Sequence, residues 1–424
     1  MTTAIVEETS TLSGEINAPP SKSYTQRAII SSALTQVVSH IRSPLISQDT
    51  QATIDAFHSL GASIRLCDTE LQITGASKFS VPQTPINCRD SASTIRFLTP
   101  IAALVEGKTV LDGNAGLRKR PLAPLLDALR KLGVSSLSIH GFPPVTIVGG
   151  HFIGGRTSMV GDISSQFITG LLFACPLALN DTEVFLTTPL ESKPYIHLTL
   201  NILSSHGIHI DTSENLQTFH IPCGQRYVPH NHFVPGDFSG AAFLLAASAM
   251  TNSDVKVNNL YVNQPDSEII VILRKMGASV TFLKDSVQVS SNKLNGIAID
   301  VSDIPDLVPV CTAMACISEG QTRIYRAKRL RFKESDRLSV LSTELQKMGA
   351  NISEEAEGLI INGSSALHSA TINPHGDHRI AMACTIAGLK ARGTTEILEA
   401  ECVQKSYPNF FTDLSKLGAK IHVQ

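Results

Sequence analysis

One helical ending recurs six times along the chain: FHSLGASI, LRKLGVSS, LSSHGIHI, LRKMGASV, LQKMGANI and LSKLGAKI. Its glycines, Gly61, Gly133, Gly207, Gly277, Gly349 and Gly418, stand 72, 74, 70, 72 and 69 residues apart. A period this regular restricts the chain to architectures built from one repeated supersecondary unit. Each copy reads as an amphipathic helix stopped by a glycine in the left-handed region, where a Cβ would be strained, and then a strand. After most copies a second apolar run follows, such as LQITG after Gly61 or LIING after Gly349, which predicts a hairpin.

A second series interleaves with the first. It begins at Ser21, Asp90, Asp162, Asp237, Asp306 and Asp377, at intervals of 69, 72, 75, 69 and 71 residues. Each is expected near the start of a helix rich in small apolar residues, as in Asp237-FSGAAFLLAASA, where Ser or Asp accepts hydrogen bonds from free backbone N–H groups. Helices apolar all round are buried, so the glycine-ended helices, charged on one face, should lie outside them. A chain of 424 residues exceeds one ordinary core, and six units predict two domains of three units each. The last unit ends after one strand, Lys420 to Val423, and Thr3 to Glu7 is expected to supply its partner. Residues 1–19 plus 236–424 would then form one domain and 20–235 the other, with crossings near Pro19–Pro20 and Pro235–Gly236. Long-period repeats also build solenoids, but buried helices at this spacing favour compact domains.

The N-terminus of a helix offers unpaired N–H groups and a partial positive charge. The starts of the second series carry Lys22, Ser23 and Arg27; Asp90 and Arg96; Ser164, Ser165 and Gln166; Asp237 and Ser239; Asp306; and Asp377, His378 and Arg379. Taken singly, each is better read as a cap or a structural residue. Six polar clusters in register on buried helices favour a shared site, reached from both domains if these face each other. Two basic segments lie outside those helices, Arg118 to Pro121 (RKRP) and Arg329 to Arg337 (RLRFKESDR). Arginine suits a bidentate grip on carboxylate or phosphate, so a compact, multiply charged anion is the expected ligand. The net charge of −2 provides no bulk field for nucleic acid. No apolar run reaches the length of a membrane span, and MTTAIVEETS lacks the features of a signal peptide. The eight cysteines form neither a CxxC pair nor a zinc-spaced cluster and read as small buried hydrophobes in a reducing compartment. A cytoplasmic protein without metal or cofactor is expected.

The segments PSKSYTQRA, RKRP, SSQF, SKPY, PGDFS, IPD, RFKESDR, DHR and KSYP occur in the order in which they occur in the EPSP synthase (3-phosphoshikimate 1-carboxyvinyltransferase) family, which the chain resembles over nearly its whole length. The resemblance implies an α/β fold, a two-domain inside-out α/β barrel, with three βαβαββ units and buried parallel helices in each domain. It implies transfer of the carboxyvinyl group of phosphoenolpyruvate to shikimate 3-phosphate, on the way to chorismate and the aromatic amino acids, by a monomer that needs no cofactor. Shikimate 3-phosphate would be held by Lys22, Ser23, Arg27, Ser164, Ser165, Gln166, Ser192, Tyr195, Asp306 and Lys333. Phosphoenolpyruvate would be held by Lys22, Ala92, Arg120, Gln166, Arg337, Arg379 and Lys405. Asp306 would take the proton of the attacking hydroxyl, and Glu334, with Lys22 or Lys405 nearby, would protonate the methylene carbon. One carboxylate as base and one acid of suitable pKa are what this chemistry needs.

Two segments depart from the family pattern. The second buried helix begins Asp90-Ser91-Ala92-Ser93-Thr94-Ile95-Arg96, with aspartate and alanine where the family commonly has asparagine and glycine. Arg329 replaces a common Asn or His. The alanine implies tolerance of glyphosate, which in the family occupies the phosphoenolpyruvate site. Three alternatives have the same repeats or scaffold. A transferase acting on UDP-N-acetylglucosamine usually carries a reactive cysteine, sometimes aspartate, in the loop that reads GNAGLRKR here. An RNA 3′-phosphate cyclase would need a nucleotide-accepting histidine and a nucleic-acid surface. A non-enzymatic anion binder would not need Asp306, Glu334 and Lys405 together.

Overall fold

The computed structural model describes residues 2–424. Twelve α-helices alternate between two roles. The odd-numbered ones are α1 (Lys22–Ala33), α3 (Ala92–Ile101), α5 (Ser165–Ala174), α7 (Phe238–Met250), α9 (Val308–Ile317) and α11 (His378–Gly388). The even-numbered ones are α2 (Gln48–Ser59), α4 (Ala123–Lys131), α6 (Lys193–Ser205), α8 (Ile269–Met276), α10 (Arg337–Lys347) and α12 (Phe410–Lys416). Every residue of α3, α7 and α11 is buried, as their all-round apolar composition requires. The even-numbered helices bury one face only, and α4 and α8 end in exposed Arg–Lys pairs. All six repeat glycines take positive φ, from 74° at Gly207 to 107° at Gly277, just past these helices. Among the described residues no helix is long and apolar enough to cross a membrane.

The chain divides into a terminal unit, residues 1–19 with 235–424, and a central unit, residues 20–234. The second division falls one residue before the expected boundary at 235. Each unit holds three four-stranded sheets of one plan: a strand, its parallel neighbour, and an antiparallel hairpin beyond it. In the second repeat, Ile86–Asn87 runs parallel to Lys108–Asp112, which pairs antiparallel with Phe142–Val148, itself paired to Ser135–Ile139. The last repeat is completed by the chain's beginning: Ala4–Glu7 lies between Thr394–Ile397 and Ile421–Val423, antiparallel to both. At each crossing, the strand before the first buried helix of one unit belongs to the other unit. Ser13–Asn17 precedes α1 yet pairs with Asp254–Asn258 in the terminal unit. His232–Phe233 precedes α7 yet pairs with Ser39–Arg42 in the central unit. Each of these strands thus pairs within its own unit although the helix that follows it belongs to the other, and each unit builds its own apolar core around its own buried helices.

The start of the buried helices differs from expectation at several positions. Ser21 and Asp377 do cap α1 and α11, accepting from the N–H of Tyr24 and Arg379. The cap of α3 is Ser91 rather than Asp90, and the cap of α5 is Ser164 rather than Asp162. Asp237 holds the cap position of α7, but its carboxylate accepts from the Ser239 hydroxyl. Asp306 lies in a 3-10 turn, Pro305–Leu307, before α9, and Leu307 occupies the cap position. The spacing located the helix starts; it did not determine which of the neighbouring hydroxyls and carboxylates turns inward to the free N–H groups.

All eight cysteines are free thiols. Cys311 and Cys316 lie on α9 with no exposure, and burial pushes both thiols up to about 12. A thiol that stays protonated is a poor nucleophile. Replacing both by alanine is expected to cost about 1–3 kcal/mol through two small cavities and to leave turnover per folded molecule unchanged. Chemical denaturation and steady-state rates check both parts; a folded, inactive double variant would restore a covalent thiol mechanism.

Candidate active site

In the central unit, the starts of α1, α3 and α5 and the first turn of α6 carry the expected residues. Lys22, the first residue of α1, donates to Asp49 on α2 at 3.0 Å. Arg27, one turn further, is buried. Its Nε donates to Thr199 Oγ1 at 2.8 Å, and its other nitrogens donate to the carbonyls of Ser23 and Tyr195. The guanidinium lies 5.2 Å from the Phe97 ring centroid and 5.9 Å from that of Tyr195. Burial brings its pKa down to about 10, which leaves it charged at neutral pH. On α5, Ser164 caps the helix by accepting from the Gln166 N–H, and both side chains accept from Arg96 of α3, at 3.3 and 2.8 Å. Ser165 follows, buried. Ser192 occupies the position before α6 with φ 59°, a strained value for a serine, and Tyr195 stands in the first turn behind it. Arg120, buried, closes the 3-10 turn Leu117–Lys119. Ala92 opens α3 and is 6% exposed.

A buried amide fixes these helix starts relative to one another. The Gln26 Nε2 lies within 3.4 Å of the Asp49 carbonyl and the hydroxyls of Thr53, Ser91 and Thr94. Its Oε1 accepts from Ser93 at 2.7 Å. Such a network is costly to break because each partner would be left unpaired in the core.

In the terminal unit, Asp306 is surrounded by cations. Its carboxylate lies 3.0 Å from Arg337, 3.2 Å from Arg379 and 3.4 Å from Lys333. Burial alone would raise its pKa, but Arg379, Lys333 and Arg337 together outweigh burial and hold it well below the ordinary aspartate value. Lys333 is brought down to about 8 by burial, against the pull of Asp306. Glu334 bridges Arg337 at 2.8 Å and Lys405 at 3.1 Å. Arg337, almost wholly buried, also donates to Asp377, the cap of α11. Burial would lower its pKa, but Asp377, Glu334 and Asp306 more than reverse that, so it is always charged. Arg379 donates further to the Ser239 hydroxyl at 2.9 Å. Arg329, the departure noted above, is buried and donates to the Ser302 carbonyl.

The expected site residues divide by unit: Lys22, Ser23, Arg27, Ala92, Arg120, Ser164, Ser165, Gln166, Ser192 and Tyr195 belong to the central one, Asp306, Lys333, Glu334, Arg337, Arg379 and Lys405 to the terminal one, where the last six are joined by ion pairs. Asp49, Gln26 and Thr199 escaped the sequence reading. Asp49 looks like any acid in the first turn of an outer helix, Thr199 carries no motif, and Gln26 lies within PSKSYTQRA but is neutral and stands out less than its charged neighbours. Among the described residues no group of three or more His, Cys, Asp or Glu is arranged to hold a metal.

A sequence model of the EPSP synthase (3-phosphoshikimate 1-carboxyvinyltransferase) family matches residues 6–414. The 3-phosphoshikimate 1-carboxyvinyltransferase of Methanocaldococcus jannaschii is 43% identical over 428 residues, covering 99% of each chain. That of Methanocella arvoryzae is 45% identical over 415 residues, 97% of each. The solved EPSP synthase of Acinetobacter baumannii superimposes with a TM-score of 0.85 at 28% identity, over 100% of this chain and 99% of that one.

Proposed function

The chain belongs to the EPSP synthase family, and from that premise we propose how its own residues carry the family's reaction. The enzyme transfers the enolpyruvyl group of phosphoenolpyruvate to the 5-hydroxyl of shikimate 3-phosphate and releases phosphate, in the shikimate pathway of aromatic amino acid biosynthesis. In our reading the central unit is the shikimate 3-phosphate side. Ser23, Arg27, Ser164, Ser165, Gln166, Ser192, Tyr195, Asp306 and Lys333 bind that substrate. Lys22, Ala92, Arg120, Gln166, Arg337, Arg379 and Lys405 surround phosphoenolpyruvate.

A proton added to the methylene carbon of phosphoenolpyruvate leaves positive character on the adjacent carbon. The 5-hydroxyl attacks that carbon and gives its proton to Asp306, forming a tetrahedral ketal. The ketal then expels phosphate and loses a methyl proton. Glu334, between Lys405 and Arg337, is placed to carry the proton at carbon, with Lys22 or Lys405 as the other candidate donors. The arginines and lysines offset carboxylate and phosphate charge throughout. The observation that carries this reading is the pairing of two carboxylates, Asp306 and Glu334, through one buried Arg337. Anion binding alone needs neither acid nor base. We also propose a cytoplasmic monomer that acts on small molecules without nucleic acid or membrane. Five of its eight cysteines are buried free thiols, as a reducing compartment leaves them.

The test is phosphate release from phosphoenolpyruvate with each acceptor. Release is expected with shikimate 3-phosphate and not with UDP-N-acetylglucosamine or with phosphoenolpyruvate alone. Release with the nucleotide sugar only would reject the assignment.

A further inference from the structure

A chain of hydrogen bonds leads away from the first turn of α1, and the reaction as described makes no use of it. The Tyr24 hydroxyl lies 3.1 Å from His232 Nδ1, His232 Nε2 lies 2.9 Å from His206 Nε2, and His206 Nδ1 lies 2.7 Å from the Val228 carbonyl. His206 and His232 are buried, at 0% and 2% exposure. With both rings neutral, one arrangement of protons satisfies every link. The Val228 carbonyl can only accept, so His206 carries its proton on Nδ1 and presents a lone pair at Nε2. His232 must then donate from Nε2, which leaves its Nδ1 to accept from the Tyr24 hydroxyl. Both rings are neutral in this arrangement, and protonating His206 at Nε2 would set it against the Nε2–H of His232. Burial pushes the same way, bringing His206 down to about 4 and His232 down to about 3. The titratable groups around the two rings are Tyr24 from α1, and Tyr227 and His230 from the segment before the strand. A metal would compete for the Nε2 lone pair that His206 already spends on His232.

The positions tied together are informative. Tyr24 follows Lys22 and Ser23 directly. His232 sits in the short strand that pairs with Ser39–Arg42, and Val234, the last residue of the central unit, donates its N–H to the Arg42 carbonyl. His206 is the C-cap of α6, the helix whose other end carries Ser192 and Tyr195. Val228 and His206 are joined twice, since the Val228 N–H also donates to the His206 carbonyl at 2.9 Å. Closer to the site, Arg27 of α1 grips Thr199 of α6. The two helices that carry Ser23, Arg27, Ser192 and Tyr195 are therefore fastened at two levels, once by Arg27 and once by the tyrosine–histidine chain.

We propose that Tyr24, His232 and His206 are positioning residues for shikimate 3-phosphate, holding the first turn of α1 and the body of α6 in a fixed relation. Helix first turns have the fewest backbone hydrogen bonds and fray most readily, so a directed side-chain tie there pre-organises the groups beside it. The proposal rests on the substrate reading given above.

Steady-state kinetics of the whole enzyme test it. Tyr24→Phe removes one hydroxyl and is expected to raise KM for shikimate 3-phosphate about three- to tenfold, with kcat and KM for phosphoenolpyruvate within about twofold. His232→Leu should do the same or more. His232→Asn, which keeps an acceptor near Nδ1, should return KM to within about threefold of the parent. Because both rings stay neutral, the ratio of variant to parent KM should be flat between about pH 6 and 9. A folded Tyr24→Phe enzyme with unchanged KM would overturn the proposal. So would equal losses of kcat for both substrates without asparagine rescue, or a ratio that changes across that range. A parent enzyme inactive on shikimate 3-phosphate would instead sink the substrate reading itself.

Discussion

Replacing Asp306 by asparagine is expected to lower kcat by a factor of ~100 or more, with the Michaelis constants of both substrates within about threefold of the parent. The change keeps the size and a hydrogen-bonding group and removes the base. A capping role would make asparagine harmless, since Asn caps about as well as Asp. The structure assigns the cap position of α9 to Leu307 and turns the Asp306 carboxylate to Lys333, Arg337 and Arg379 instead. A carboxylate held so far below its ordinary pKa is a weak base as it stands. It becomes stronger if Arg337 and Arg379 turn to the carboxylate and phosphate of phosphoenolpyruvate, so base strength should appear only with that substrate bound. Removing a negative charge among three cations also leaves the field for anions no weaker, which is why substrate binding is expected to survive. Stability is a separate effect. A depressed carboxylate pKa contributes stability above its unfolded value of about 3.9, and that contribution is lost as pH falls through the folded value. The asparagine variant lacks it at neutral pH, so thermal melts should accompany the kinetics. Near-normal turnover in a folded variant would reject Asp306 as the base.

The repeat of about 70 residues was legible because two physical requirements recur with it. A helix that ends in a turn needs a residue tolerant of positive φ, and a helix at the centre of a unit needs small apolar side chains on every face. Glycine and alanine-rich runs record both directly. The pairing of His232–Phe233 with Ser39–Arg42 left no such record: a two-residue strand has no alternation to read, and which strand it joins is decided by tertiary pairing. The same contrast holds in the site. Lys22, Arg27, Arg337 and Arg379 stood out as cations at helix starts in a nearly neutral chain. Asp49 and Thr199 did not, because their work consists of orienting Lys22 and Arg27 from other helices, and a single partner far away in sequence leaves no pattern; Gln26 did not, because a neutral amide gives no sign of the hydroxyls it meets on α2 and α3. The caps show the middle case. The region of each helix start was readable, but Ser91 and Ser164 rather than Asp90 and Asp162 take the free N–H groups. Asp90 accepts from Asn114 at 2.7 Å.

Ala92→Gly is expected to make the enzyme roughly ten- to a hundredfold more sensitive to glyphosate, with a much smaller change in KM for phosphoenolpyruvate. The inhibitor is longer than the substrate whose site it takes in this family. A methyl group at the mouth of a close-packed site costs ~1–3 kcal/mol for a ligand that reaches it, and each ~1.4 kcal/mol is tenfold in binding. Ala92 is the first residue of α3 and nearly fully buried. The helix start cannot easily shift to relieve crowding, because the residues on either side of it are fastened. Ser93 donates to Gln26 of α1 at 2.7 Å, and the Ser91 hydroxyl lies within reach of the same amide. The methyl penalty should therefore be felt by the inhibitor rather than absorbed by backbone movement. The neighbouring Asp90 complicates the comparison least where its charge is satisfied, and Asn114 supplies that partner. Glycine also loosens the first turn, at a cost to stability of about 0.5–1 kcal/mol. The measurement is the inhibition constant divided by the Michaelis constant for phosphoenolpyruvate, in parent and variant, at a temperature where both are folded. An unchanged ratio would mean that the Ala92 methyl does not face the inhibitor, and that α3 begins at a different height beside the phosphoenolpyruvate site than proposed.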